Sequence, residues 1–93
     1  MNKPESIPML RRVYAVRDDK QNEYNTPVLI PNDAVASRSF GDMISTDKNS
    51  LIARHPGDYS LWFLGTFDAE RGIFSQDEKP YVVARASDFA VKE

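Results

Sequence analysis

The chain has 93 residues, of which 41% are hydrophobic and 28% are charged, and its formal net charge is −2 at pH 7. This composition is typical of one small globular domain, which we assign to residues 1–93, and it excludes a disordered chain. The net charge argues against a dedicated duplex-DNA binder, which needs excess positive charge, although the 12 Lys and Arg residues can still gather on one face.

The N-terminal sequence and the apolar runs bear on compartment and membrane association. Residues 1–8 contain Pro4 and Pro8, show no periodicity and lack the apolar core of a signal peptide. No apolar run approaches the roughly 20 residues that span a bilayer. We therefore expect a cytosolic protein with no membrane partner, in which residues 1–8 form a flexible arm.

The first predicted elements are extended. Residues 9–17 favour a strand through Val13, Tyr14 and Val16, and the polar residues 18–26 are typical of a loop. Residues 27–31 are bracketed by prolines, which restrict them to an edge strand or an extended connection.

The segment from Asn32 to Ser45 is the main predicted helix. Asn32 or Asp33 can cap its first amides, and Gly41 suggests close packing against another element. Arg38 and Asp42 are spaced for an i,i+4 pair. The spacing predicts that one side carries the apolar residues Val35, Ala36, Phe40, Met43 and Ile44.

The second half of the chain predicts a hairpin and a final strand. A helical turn is expected at 50–54, a strand at 59–67, a turn at 68–72 and a return strand at 73–75. A last apolar strand follows at 81–84, and 86–93 form a short helix or a tail. Strand 59–67 is apolar on both faces, which indicates a central strand or a face covered by a second chain. The predicted fold class is α+β, with a small antiparallel sheet packed against one main helix.

Several short motifs, in this order and spacing, resemble a known family. They are residues 13–18 (VYAVRD), 36–40 (ASRSF), 55–61 (HPGDYSL) and 64–68 (LGTFD), with Gly72 after them. Together they are similar to the phage ORF5 family, the small nonstructural protein of gokushovirus-type microviruses. The similarity covers residues 11–83, whereas the arm before it is longer than the family's usual start and residues 20–31 match nothing.

This resemblance implies a role in the single-stranded DNA synthesis of a bacteriophage, in the cytoplasm of the bacterial host. It implies no enzymatic activity, no cofactor and no catalytic residues. The expected partner is single-stranded DNA, or a phage replication or assembly protein. The alternative is therefore an adaptor for replication or capsid assembly that makes no contact with DNA.

Binding of single-stranded DNA requires cations for the phosphates and aromatic rings on which bases stack. The residues that the sequence offers for such a surface are Arg12, Tyr14, Arg17, Arg38, Arg54 and Trp62. The competing interpretation places both aromatic side chains in the core, which a domain of this size needs, and leaves the arginines in solvent.

Other chemistry has weaker support in the sequence. His55 is the single histidine and precedes a Pro-Gly turn, and the acidic pairs lie in loops, so we expect neither a metal site nor a catalytic site. A homo-oligomer remains a separate hypothesis. It would bury an apolar surface formed by Trp62, Leu64, Phe74 and Tyr81.

Overall fold

A computed structural model describes residues 10–89 as an antiparallel sheet with helices on one face. The predicted arm at 1–8 lies outside the described residues, as does the segment 86–93 beyond residue 89. The strands are β1 (Leu10–Asp18), β2 (Glu23–Tyr24), β3 (Val28–Ile30), β4 (Tyr59–Asp68), β5 (Ile73–Ser75) and β6 (Tyr81–Arg85). The helices are α1 (Asp33–Thr46) and α2 (Leu51–Arg54), with 3-10 turns at Pro56–Asp58 and Ala86–Phe89. The predicted α+β class, a small antiparallel sheet with one main helix, is confirmed.

Two long strands form the centre of the sheet. β1 and β4 pair from Leu10 opposite Asp68 to Asp18 opposite Tyr59. The outer edge of β1 is shared by β2 and β3, and the outer edge of β4 is shared by β5 and β6. The prediction of a central strand at 59–67 is therefore confirmed. β3 is an edge strand, as the flanking prolines predicted, and β2 was missed because two polar residues show no alternation.

Helix α1 begins where the capping residues predicted. The side chain of Asn32 accepts a hydrogen bond of 2.9 Å from the backbone N–H of Val35. Close packing at Gly41 is also confirmed, because a Cβ there would lie 2.7 Å from the ring of Phe89. Arg38 and Asp42 are exposed and form no ion pair with each other. No helix among residues 10–89 is long and apolar enough to cross a membrane.

The prediction of the apolar helix face is wrong for one residue. Met43 is exposed, whereas Gly41 is buried. The small Gly41 lets the helix approach the ring of Phe89, so the buried stripe is centred toward Gly41 and away from Met43. The core lies between the helices and one sheet face and contains Tyr14, Ala36, Phe40, Ile44, Leu61, Phe63, Ala84 and Ala86.

A bulge in β4 depends on a glycine. The β1–β4 register shifts so that Val13 faces Gly65 while Tyr14 faces Phe63, which leaves Leu64 as the extra residue. Gly65 has φ +154°, and a Cβ there would lie 2.5 Å from the carbonyl oxygen of Ser75. Both backbone strain and a collision with backbone therefore oppose any side chain at this position.

We predict that Gly65→Ala lowers the free energy of unfolding by about 2–3 kcal/mol, measured by urea denaturation. Gly72→Ala should cost less, about 1 kcal/mol, because Gly72 has φ +70° but open space around it. Gly57→Ala is the matched control and should change little, since nothing lies near its Cβ position. Equal effects at all three positions would contradict the account of the bulge.

Candidate nucleic-acid interface

The six residues predicted to bind DNA occupy four separate places. Arg12 and Tyr14 lie on the sheet face that packs against α1, whereas Arg17 and Trp62 lie on the opposite face, which we call the open face. Arg38 is exposed on α1, and Arg54 is exposed at the end of α2. The fold therefore brings together only one arginine–aromatic pair on the open face.

A hydrogen-bond network joins Arg12 and Tyr14 to the first turn of α1. The hydroxyl of Tyr14 donates to Oδ1 of Asp33 and accepts from Nε of Arg12 at 2.8 Å. Arg12 also donates to Asp33 at 3.1 Å and to the hydroxyl of Tyr81 at 2.8 Å. Tyr81 donates in turn to Oδ2 of Asp33 at 2.7 Å. The network thus links β1, β6 and the start of α1.

The network shifts the pKa values of its members. Burial, with the hydrogen bond to Asp33, raises the pKa of Tyr14 to about 12. Burial pushes the pKa of Asp33 upward, but hydrogen bonds from Tyr14, Tyr81 and Arg12 outweigh it and hold that pKa below its usual value. A neutral phenol and an ionised carboxylate are therefore the stable forms in the folded protein.

Tyr14 cannot serve as a stacking platform. Its side chain is 0% exposed and its ring packs edge-on against Phe63, with 5.7 Å between the ring centroids. The prediction that bases stack on Tyr14 is therefore wrong, because the alternation of β1 directs this ring into the core. The guanidinium of Arg12 also makes its contacts within the protein: besides its hydrogen bonds, it lies 4.0 Å from the ring centroid of Phe63.

Arg17, Trp62 and Tyr24 form a compact cluster on the open face. The guanidinium of Arg17 lies over the ring of Tyr24, 5.6 Å from its centroid. The rings of Tyr24 and Trp62 meet edge to face, with centroids 6.0 Å apart. Tyr24 is 43% exposed and Trp62 is partly exposed, so aromatic surface beside a cation is open to solvent.

Polar contacts below the cluster fix its orientation. Nε1 of Trp62 donates to Oγ of Ser60 at 2.8 Å, and this buried hydroxyl donates to the carboxylate of Asp19 at 3.0 Å. Asp19 accepts from Nη1 of Arg17 at 2.8 Å, and Asn22 accepts from Nη2 at 2.9 Å. The arginine and the indole are thus held in one arrangement before any ligand arrives.

The rest of the open face is apolar with arginines around it. A groove of about 600 Å³ runs beside Leu64 and Gly65 between β3 and β5. Its lining is formed by Val13, Pro27, Leu29, Leu64, Gly65, Thr66, Phe67, Phe74, Ser75 and Gln76. By strand register, Arg11 lies on this face opposite Phe67, and Arg85 lies on it opposite Ser60.

Charge is segregated between the two faces of the sheet. The strand positions of the open face carry the arginines Arg11, Arg17 and Arg85 and no carboxylate. The strand positions of the helix side carry three carboxylates and one arginine, namely Asp18, Glu23, Asp68 and Arg12. Asp19, which directly follows β1, forms an ion pair with Arg17, so Arg11 and Arg85 are the arginines of this face without an ion pair among residues 10–89.

Four residues of this surface were not predicted from the sequence, namely Arg11, Tyr24, Phe67 and Arg85. Tyr24 falls in a predicted loop, and its contact with Trp62 follows only from the cross-strand register. Alternation did place Arg11 and Arg17 on the same side of β1, and this was the one signal that could have added Arg11.

The four residues predicted to form an oligomer surface are also divided between the two faces of the sheet. Leu64 and Phe74 line the groove of the open face, where Trp62 also lies. Tyr81 does not belong to that surface, because it lies on the helix side with its ring 5.0 Å from that of Phe63. The hydrogen bond of Tyr81 to Asp33 holds it there.

Other candidate chemistry stays separate from the open face. His55 is exposed and ends α2, where its backbone N–H bonds to the carbonyl of Leu51. Within the described part of the chain, no group of three or more His, Asp or Glu side chains is placed to hold a metal ion.

The sequence of the chain matches a known protein family. A family model described as Phage ORF5 protein matches residues 11–89. The chain belongs to the Phage ORF5 protein family. The match spans every strand and helix described above and identifies a bacteriophage protein. No curated protein and no solved structure matches the chain significantly.

We predict that Tyr14→Phe lowers the free energy of unfolding by about 1–2 kcal/mol at pH 7, because it removes hydrogen bonds to Asp33 and Arg12. Tyr24→Phe is the matched control, since the Tyr24 hydroxyl makes no hydrogen bond among residues 10–89, and it should change stability by less than about 0.5 kcal/mol. Chemical denaturation measures both. Equal stability of wild type and Tyr14→Phe would contradict the role given to the network.

The same variant tests the shifted pKa of Tyr14. A raised pKa stabilises the fold below the unfolded pKa of about 10, and this contribution is lost as the pH rises toward about 12. The stability difference between wild type and Tyr14→Phe should therefore shrink between pH 10 and pH 12. A difference that stays constant over this range would show that the phenol is not held neutral.

Proposed function

We propose that this phage protein binds single-stranded DNA through the open face and supports viral single-stranded DNA synthesis without catalysing a reaction. The observation that carries the proposal is the cluster of Arg17, Tyr24 and Trp62 on a sheet face that has arginines and no carboxylate at its strand positions.

The chemistry of this surface suits unpaired bases. A base stacks on an exposed aromatic ring whatever its identity, and an arginine beside the ring contacts the adjacent phosphate. Sheet faces that carry aromatic residues bind single-stranded nucleic acid in this way elsewhere. A duplex keeps its bases stacked internally and offers none of them to Trp62 or Tyr24, so the surface favours single strands.

The small number of cations sets the expected salt dependence. Three arginines occupy strand positions of the open face. With about −0.7 per neutralised phosphate for single strands, and with Arg17 already paired to Asp19, the slope of log K against log salt concentration should lie between about −1.4 and about −2. Stacking then supplies a large share of the affinity, which is consistent with a protein of net charge −2.

Membership of the Phage ORF5 family supports the phage setting. The sequence motifs quoted above extend this proposal to gokushovirus-type microviruses and to the cytoplasm of the infected bacterium. The role is proposed as non-enzymatic because the shifted pKa values belong to Arg12, Tyr14, Asp33 and Tyr81, which join α1 to the sheet.

An adaptor role in replication or capsid assembly is the second candidate. The apolar groove beside Leu64 and Phe74 favours it, because exposed apolar surface of this kind also suits a protein partner. A second copy of the chain is one such partner.

The test is a titration of a fluorescently labelled oligothymidylate, followed by anisotropy at low and moderate salt. We predict that Arg17→Ala weakens binding about tenfold, because it removes both a phosphate contact and the cation over Tyr24. Arg38→Ala removes the same charge from the exposed side of α1 and is the matched control, for which we expect unchanged affinity.

Two outcomes would contradict the proposal. Equal weakening by both variants would show that binding follows net charge and not the open face. No binding by the wild type even at low salt, with a partner captured from infected cells, would favour the adaptor. Thermal denaturation of Arg17→Ala checks that the loss of its bonds to Asp19 and Asn22 leaves the fold intact.

A further inference from the structure

The open face carries a second aromatic pair, far from Trp62, and the following inference rests on the proposed function. The rings of Phe67 and Phe74 lie with their centroids 4.7 Å apart, and Phe74 is 71% exposed. Phe67 pairs across the sheet with Arg11 on one side and with Phe74 on the other. We call Arg17, Tyr24 and Trp62 the first station, and Arg11, Phe67 and Phe74 the second station.

The apolar groove separates the two stations. Val13, Leu29, Leu64 and Gly65 lie along it, and none of its lining residues is charged. Phe67 follows Trp62 by five positions in β4, but the bulge at Leu64 reduces this to four positions of β1, from Ala15 to Arg11, which corresponds to about 13 Å along the sheet. The groove thus includes the rings of the second station, Phe67 and Phe74, and the rest of its lining is apolar apart from the uncharged polar residues Thr66, Ser75 and Gln76.

We infer that one single strand of DNA occupies both stations at once, crossing the groove between them. A stacked strand advances about 3.4 Å per nucleotide, so about four steps, which join five nucleotides, span the 13 Å. Either station alone is a weak site, because it offers one cation and one aromatic pair. Linked through the strand, the second contact forms at a high effective concentration, and the affinity rises without any new kind of interaction.

Charge favours a nucleic acid over a second copy of this chain as the occupant. Two open faces packed against each other would bring Arg11, Arg17 and Arg85 toward the same arginines, and the carboxylate beside them, that of Asp19, is already paired with Arg17. A polyanion avoids this repulsion, because its phosphates carry the charge opposite to that of the arginines around the groove.

The experiment is an affinity series with oligothymidylates of two to twelve nucleotides, measured by isothermal titration for the full chain. For the wild type, we expect affinity to rise by about tenfold or more as the length passes about five nucleotides, when the strand reaches the second station. Phe74→Ala should abolish this rise, because the first station is then the one intact site for oligomers of every length. Phe74 is exposed, so the substitution spares the core.

Ile73→Ala is the matched control. Ile73 is the neighbouring residue of β5, is also exposed, and points to the other side of the sheet by alternation. It should keep the wild-type length dependence. A rise that persists in Phe74→Ala, or a wild type without any rise beyond the shortest oligomers, would overturn the two-station inference while DNA binding itself stands. No binding at any length would instead reject the proposed function and the inference with it.

Discussion

The hydrogen bonds to Asp33 decide which face of the sheet is covered. Asp33 lies in the first turn of α1 and accepts from Arg12 and Tyr14 on β1 and from Tyr81 on β6. The start of the helix is therefore held across the sheet, and the rest of α1 packs over Leu61 and Phe63. Residues of α2 and of the 3-10 turn at Ala86–Phe89 join the same core, so among residues 10–89 the helical layer covers one face and leaves the other open.

The uncovered face carries the proposed DNA site, although the net charge of the chain is negative. Its strand positions carry arginines without carboxylates, while Asp18, Glu23 and Asp68 occupy the helix side. The aromatic side chains are divided in the same manner. Tyr14 and Phe63 are buried under the helices, whereas Tyr24 and Phe74 face solvent on the open face. The fold and the proposed DNA site thus use different aromatic residues, and the alternation of β1 and β4 assigns each of them to its side.

Local signals in the sequence predicted most of the fold. The Asn32 cap, the apolar alternation of β4 and the turn before Gly72 each depend on a few neighbouring residues, and the structure agrees with all of them. The candidate site was predicted only in part. Alternation separates two faces but does not say which of them α1 will cover, so Tyr14 was assigned to DNA although it is buried. Tyr24 was missed because its place beside Trp62 depends on strand register, which no short sequence window contains.

Trp62 is partly exposed in the free protein, and the proposed binding mode requires that DNA covers it in the complex. Trp62 is the single tryptophan of the chain, so acrylamide quenching of its fluorescence reports on this one position. We predict measurable quenching of the free protein and a clear fall in the quenching constant when a saturating oligothymidylate of twelve nucleotides is added at low salt. An unchanged quenching constant under conditions where the oligonucleotide is bound would show that DNA lies elsewhere and would contradict the central claim.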